Sequence, residues 1–134
     1  MVEFTRHTGI ADYQLIDGIL VCRLKSELII DDRLVQRIIT EKSELDIDEV
    51  VPLLIRVHED HLLFEPQAFR LLAEDKGCEG LCAVAVVTRH PLRNLLVNIS
   101  STFVKSQIPL RFVNSRSEAR LWLFNYIKDK EALY

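Results

Sequence analysis

The sequence has few of the residues that mark nucleotide-binding loops, disulfide scaffolds and membrane spans. Only four glycines and three cysteines occur among its 134 residues, and no glycine-rich phosphate-binding loop is present. No apolar run approaches the ~20 residues that cross a bilayer. The first residues lack the basic-then-apolar order of a signal peptide. We therefore expect a soluble, cytoplasmic protein without a membrane span.

Neither sign of charge dominates the chain. Lysine and arginine total 17 against 20 aspartates and glutamates, a formal net charge of −3. A strongly basic face is not expected, and a nucleic-acid partner is therefore not expected either. Hydrophobic residues make up 49% of the chain, enough for one core at this length. We predict a single domain over residues 1–134, with residues 1–10 and 131–134 loose.

The cysteines do not predict a metal or redox centre. Cys78 and Cys82 have a C-x₃-C spacing that zinc sites sometimes use, but no second ligand pair accompanies them. No secretion signal favours disulfides, and reduced thiols fit a cytoplasmic compartment. We favour buried or incidental cysteines, and we expect neither a metal nor a cofactor.

The first half of the chain carries clear local signals. Asp17-Gly18 lies between two apolar runs, and this dipeptide predicts a tight β-hairpin. Asp31 or Asp32 can cap a helix that ends near Ser43. Residues 50–57 are almost continuously apolar, which is typical of a strand covered on both faces.

The second half repeats an alternation of strands and helices. Pro66 predicts a helix start and Gly77 its end, and residues 81–87 form another buried-strand pattern. A helix is predicted from Pro91. A short strand at 110–113 precedes a closing helix. The order β-β-α-β-α-β-α-β-α predicts an α/β fold with a mixed, mostly parallel sheet and an N-terminal hairpin.

The closing helix has its own start signal. Ser115 and Glu118 form a capping box, in which each side chain satisfies a backbone donor of the other. Ala119, Trp122 and Leu123 begin the apolar face that follows.

No recognisable catalytic set appears in the sequence. Ser100, Ser101 and Ser106 have no histidine and acid partners at a familiar spacing, so a Ser-His-Asp mechanism is not supported. We therefore expect a protein that is not an enzyme.

Two stretches of the chain carry a family resemblance. One is the strand at 83–87 that leads through 88–91 into an amphipathic helix. The other is the strand at 109–113 followed by the capped helix at 115–123. In order and length the chain resembles STAS-like domains, the fold of bacterial anti-sigma-factor antagonists, over roughly residues 11–128, and is closest to an uncharacterised branch of them. The resemblance implies a scaffold that binds partner proteins or small apolar ligands.

The chain departs from that family at one functional turn. Regulatory members carry an Asp-Ser-Ser-Gly-like turn after the third strand, where a serine is phosphorylated. The matching stretch here, residues 58–66, contains no serine or threonine. The phosphorylation switch therefore cannot be carried over.

Arg89, His90 and Arg93 form the candidate anion-binding site. They cluster at a predicted helix N-terminus, which carries partial positive charge and unpaired N–H groups. Val87 ends a strand at this point, and ligands favour the carboxyl ends of parallel strands. The alternative interpretation, which we consider simpler, is an exposed basic turn.

The loop at 58–64 is the second candidate. His58 and His61 have an H-x₂-H spacing that suits zinc, although a solvated polar loop is the simpler interpretation. Together with Leu62, Leu63 and Phe64, they form a candidate partner-binding surface. The three apolar residues also fit simple packing at the start of the next helix, which we favour.

These observations favour a non-enzymatic binding or regulatory module that acts through protein–protein contacts. The partner is another protein or a second copy of the chain in a homodimer. The alternative is a carrier of a small apolar or lipid-like ligand. The least favoured hypothesis is an enzyme with an anion site near Arg89 and His90.

Overall fold

The computed structural model describes residues 2–89 and 107–127. Its strands are β1 (Val2–His7), β2 (Ala11–Ile16), β3 (Ile19–Leu24), β4 (Ile29–Ile30), β5 (Val51–Arg56), β6 (Leu63–Phe64), β7 (Leu81–Val87) and β8 (Leu110–Val113). Its α-helices are α1 (Asp32–Ser43) and α2 (Arg116–Phe124), and two 3-10 helices cover Pro66–Ala73 and Asp75–Cys78.

Six strands form one mixed sheet in the order β1-β2-β3-β5-β7-β8. β1, β2 and β3 pair antiparallel, and the pairs from β3 through β5 and β7 to β8 are parallel. β4 and β6 form a separate two-stranded parallel pair. The predicted fold class, a mixed α/β sheet with an N-terminal hairpin, is confirmed.

The local signals in the sequence produce the expected turns and caps. Asp17 and Gly18 have φ angles of 51° and 81°, the positive values that a type I′ hairpin turn needs. The Asp31 carboxylate accepts a hydrogen bond from the Leu34 N–H at 3.1 Å, and α1 ends at Ser43 as predicted. The Ser115 hydroxyl accepts one from the Glu118 N–H at 3.2 Å, at the start of α2.

The N-terminal residues differ from the prediction. The sequence predicts that residues 1–10 are loose, but β1 pairs along β2 as an edge strand. Most of its side chains are exposed, and only Phe4 packs against the core. Backbone hydrogen bonds to β2 therefore hold this strand in place. Because such bonds need no alternating apolar side chains, the sequence of β1 lacks the hydrophobic pattern that predicts a strand.

Gly77 does not end a helix, which corrects the prediction for this segment. The segment after Pro66 is 3-10 helix, and Gly77 lies buried inside the second 3-10 helix. A Cβ atom at this position would stand 1.8 Å from the Leu71 carbonyl oxygen. Glycine is needed here for a close backbone approach and not for termination. The helix predicted from Pro91 lies outside the described residues, as do residues 131–134.

Two hydrophobic clusters cover the two faces of the sheet. On one face, α1 and the first 3-10 helix pack over the larger cluster, which includes Tyr13, Leu53 and Phe69. On the other face, Ala119 and Leu123 of α2 pack over a smaller cluster. α2 contacts β5, β7 and β8, and thereby brings its first turn to the carboxyl ends of these strands.

Strand alternation also decides where the arginines of the sheet lie. Leu54 packs in the cluster under α2, and Arg56 is two residues further along β5. Because side chains two apart share a face, Arg56 projects on the α2 side. Arg23 pairs directly with Arg56 in the parallel register of β3 and β5 and lies on the same side.

Candidate functional site

A cleft of about 590 Å³ opens at the carboxyl ends of β5, β7 and β8. Residues 56–60, 87–89 and 114–117 line it. Open parallel sheets commonly bind ligands beyond the carboxyl ends of their strands, and this volume is within the range of small-molecule sites. We call it the arginine cleft, because three arginines line it.

These arginines come from three separate elements. Arg56 is the last residue of β5, Arg89 follows β7, and Arg116 is the first residue of α2. The register of β5, β7 and β8 aligns Arg56 with Val87 and Val87 with Val113. The three strands therefore end level, and the residues that follow each strand meet around one cavity.

Several arginines at the edges of the cleft and in a neighbouring groove form ion pairs with carboxylates. Arg89 pairs with Glu59 at 2.5 Å, at the rim of the cleft. A neighbouring groove shares Arg56 and Arg116 with the cleft and extends over β2 and β3. Two arginines of that groove have carboxylate partners: Arg23 pairs with Asp12 at 3.2 Å, and Arg120 pairs with Asp17 at 3.5 Å.

Arg56 and Arg116 are not compensated in this way. Neither forms an ion pair with any residue in 2–89 or 107–127. Partial burial lowers the pKa of Arg56 from its ordinary value, and the positive charges of Arg116 and Arg23 lower it further. Two guanidinium groups that repel one another mark a place where an anion would be stabilised.

The chemistry of the cleft suits recognition of an oxyanion. A guanidinium group offers a planar fork of donors that matches carboxylate and phosphate oxygens. α2 begins at this point, and the first N–H groups of a helix have no partners within the helix. Its positive dipole end adds to the field of the arginines. Asp60 also lines the cleft and opposes that field.

The structure places the predicted anion-site residues only in part. Arg89 lines the cleft, whereas His90 and Arg93 lie outside the described residues. His58 lines the same cleft, so the cleft joins Arg89 to the 58–61 loop.

The two histidines are held within their own loop. The His58 Nδ1 atom accepts a hydrogen bond from the Asp60 N–H at 3.0 Å, and the His61 Nδ1 atom lies 2.9 Å from the His58 carbonyl oxygen. Within residues 2–89 and 107–127, no three histidine, cysteine, aspartate or glutamate side chains come together as a metal site.

The three apolar residues after the loop have different environments. Leu62 and Leu63 are 69% and 49% exposed. Phe64 is half-buried, with its ring centroid 5.3 Å from that of His61 and 6.3 Å from that of Phe69. Ile29 is exposed beside Leu63 in the β4–β6 pair. Packing therefore accounts for Phe64 alone, and Ile29, Leu62 and Leu63 form an exposed apolar patch.

Sequence reasoning missed the two uncompensated arginines. Arg56 followed an apolar run and Arg116 followed a capping serine, and each position reads as an ordinary charged residue at an element boundary. The available signal was the placement of both next to strand ends, which brings residues together in a parallel sheet.

The chain is thus an α/β protein with an arginine-lined cleft at the carboxyl ends of its parallel strands. Residues 13–127 match the family described as Domain of unknown function (DUF7793), and the chain belongs to this family. Searches of curated proteins and of solved structures found no match. None of the helices in the described part of the chain has the length and apolar character needed to cross a membrane.

Proposed function

We propose that this protein is a non-enzymatic binding module of the regulatory type, which recognises an anionic group in the arginine cleft. One observation carries the proposal. Arg56 from the sheet and Arg116 from α2 converge on one cavity, and neither has a carboxylate partner among the described residues. Arg56 is half-buried and lies near the like charge of Arg116, and an anion bound between the two guanidinium groups would offset their repulsion.

The character of the cleft supports binding over the alternatives. Guanidinium groups, hydroxyls and backbone N–H groups bind an anion without a nucleophile or a proton-transfer pair. A cleft with this many charged side chains is poorly suited to an apolar or lipid-like cargo. The STAS-like order of elements, with its implied habit of binding partners, is consistent with this proposal.

The proposal is tested by calorimetric titration with inorganic phosphate, sulfate and acetate. We expect the wild-type protein to bind at least one of these anions, and Arg56→Gln and Arg116→Gln each to weaken binding at least about tenfold. Arg33→Gln is the matched control, because Arg33 is exposed on α1 over the opposite face. Absence of binding at millimolar anion, or an equal loss in the control, would contradict the proposal.

A second candidate function, self-association, is favoured by the apolar patch. Ile29 and Leu63 stand side by side in register, and the exposed Leu62 precedes them on the β6 side. Apolar side chains clustered on a short, open strand pair are typical of protein contacts. We propose a second copy of this chain as the partner, in keeping with the expected homodimer.

Light scattering coupled to size exclusion tests this second function. We expect a dimer that Leu63→Ser dissociates. Leu121→Ser, at an exposed position on α2, is expected to leave the dimer intact. A wild-type protein that stays monomeric at high concentration would reject self-association and leave anion binding unaffected.

A further inference from the structure

We propose that the anionic group recognised by the arginine cleft is a phosphate monoester in its doubly charged form, held between Arg56 and Arg116. This inference rests on the proposed anion-binding function and deepens it. It specifies the charge of the group, the number of its oxygens and the presence of an organic substituent.

The charge of the ligand is inferred from which arginines already form ion pairs with carboxylates. Arg23, Arg89 and Arg120 each have a carboxylate partner, so their charges are balanced locally. Arg56 and Arg116 contribute two positive charges that form no ion pair with any described residue, and the Asp60 carboxylate in the same cleft offsets part of this charge without pairing with either arginine. A carboxylate ligand would pair with one of the two guanidinium groups, whereas a phosphate dianion has the charge and the oxygens to pair with both.

The donors around the cleft match the oxygens of a phosphate group. A phosphate monoester has three strongly accepting terminal oxygens, more than a carboxylate can offer. Two guanidinium forks, the hydroxyl of Ser117 and the amide of Asn114 line the same cavity. The first turn of the nine-residue α2 adds backbone N–H donors.

The size of the cleft argues for a substituent on the phosphate. A volume of about 590 Å³ is typical of sites that enclose whole small molecules, and an inorganic phosphate would leave much of it unfilled. The ester oxygen would carry this remaining part toward the open side of the cleft.

The charged groups of the cleft and of the neighbouring groove make up the field that a ligand meets. The cleft contributes Arg56, His58, Glu59, Asp60, Arg89 and Arg116, and the groove adds Asp12, Arg23 and Arg120. Among them, histidine is the one type that changes charge near neutral pH. A phosphate monoester gains negative charge through its second ionisation, which has a pKa of about 6, and this gain strengthens its binding to a cationic cleft.

The pH dependence of the phosphate charge provides the first experiment, a calorimetric titration with blocked phosphoserine, sulfate and acetate. The second ionisation of a phosphate monoester has a pKa of about 6, so its dianion fraction rises about fourfold from about pH 5.5 to about pH 7.5. We expect the affinity for blocked phosphoserine to rise about fourfold over this interval. Sulfate stays doubly charged throughout, so its affinity is expected not to rise.

Three variants locate the site. Arg56→Gln and Arg116→Gln are each expected to weaken phosphoserine binding at least about tenfold. Asp60→Asn removes a lining carboxylate and is expected to strengthen binding, a gain that misfolding cannot produce. The Arg33→Gln control is expected to leave the affinity unchanged.

The outcomes separate this inference from the function on which it rests. If acetate binds as tightly as blocked phosphoserine, or phosphoserine affinity does not rise with pH relative to sulfate, the phosphate assignment is overturned and anion binding stands. If no anion binds, both are overturned. Glucose 6-phosphate carries the same group on a sugar. Tighter binding of this compound would indicate a small metabolite, and tighter binding of phosphoserine a phosphorylated protein segment.

Discussion

Two polar clusters lie on opposite faces of the sheet, and they are built in opposite ways. Under α1, the Glu41 carboxylate accepts hydrogen bonds from the Tyr13 hydroxyl at 2.9 Å and the Thr8 hydroxyl at 2.8 Å. On the α2 side, Arg56 and Arg116 form no ion pair with any described residue. The first cluster is an anion with its hydrogen-bond donors beside it, and the second is a pair of cations without a carboxylate partner among the described residues.

This difference separates a structural cluster from a candidate binding site. Buried polar groups in native proteins are almost always hydrogen-bonded, and Glu41 follows that rule with an additional contact to Arg37 at 3.6 Å. Arg56 and Arg116 repel each other in the absence of a ligand. We therefore expect substitutions in the first cluster to reduce stability, and substitutions in the second to reduce binding.

The largest effect is expected for Glu41→Ala. This change leaves the Tyr13 hydroxyl without its acceptor, and Tyr13 is completely buried. An unsatisfied buried donor together with the lost hydrogen bonds reduces the free energy of unfolding by about 2–3 kcal/mol. Urea denaturation followed by circular dichroism measures this loss. The control is Glu44→Ala, at an exposed position just beyond α1. A similar loss of unfolding free energy in this control would contradict the structural role of Glu41.

The next effect is a loss of stability at alkaline pH. Burial raises the pKa of the Tyr13 hydroxyl above its usual 10 and that of the Cys22 thiol above its usual 9. Both groups bind their protons more tightly in the folded state, so their contribution is complete at neutral pH and is lost as the pH rises above these ordinary values. The free energy of unfolding then falls by up to about 1.4 kcal/mol per pH unit for each group.

The Tyr13→Phe variant tests this assignment. Denaturation curves measured between neutral pH and pH 11 are expected to show a shallower decline for the variant than for the wild type. If the free energy of unfolding falls with the same slope in both proteins, ionisation of Tyr13 is not the cause of the loss of stability at alkaline pH.

A smaller effect of opposite sign is expected for Arg116→Gln. Arg116 is a cation at the positive end of α2 and lies beside Arg56, and both interactions are unfavourable. Its removal is expected to raise the free energy of unfolding by about 0.5–1 kcal/mol. Thermal denaturation without added anion measures this gain, and added phosphate is expected to stabilise the wild type only. If Arg116→Gln instead lowers the free energy of unfolding, the contrast between the two polar clusters is contradicted.

The smallest effect is expected for Glu59→Gln. The Arg89–Glu59 pair is largely exposed, at 79% and 61%, and exposed pairs contribute less than about 1 kcal/mol. We expect the free energy of unfolding to change by less than about 0.5 kcal/mol, while anion affinity rises because a negative charge leaves the rim. A large loss of stability would assign this pair a structural role.

The sequence predicted features that depend on a few neighbouring residues. The Asp17-Gly18 turn and the Asp31 and Ser115 caps follow from local backbone chemistry, and the structure confirms each of them. The sequence does not predict β1, because backbone pairing with β2 holds this strand and it has no buried apolar face. Gly77 was misread because its close neighbour, Leu71, belongs to a different helix.

The arginine cleft could be predicted only in outline. Arg89 and the 58–61 loop were recognised because each follows an apparent strand end. Arg56 and Arg116 are far apart in the chain and meet only through the register of β5, β7 and β8. Pairing register is a tertiary property, so a single sequence does not show which charges remain uncompensated.

The connectivity of the sheet also implies an order of folding. β1, β2 and β3 form a meander joined by residues 8–10 and 17–18, and such local hairpins form within microseconds. Contacts between distant parts of a chain form more slowly. The cleft needs β5, β7, β8 and the start of α2 together, so we expect it to be absent from a nascent chain until residue 116 has been added. The cleft is thus among the last features to form, although the sheet beneath it begins at the other end of the chain.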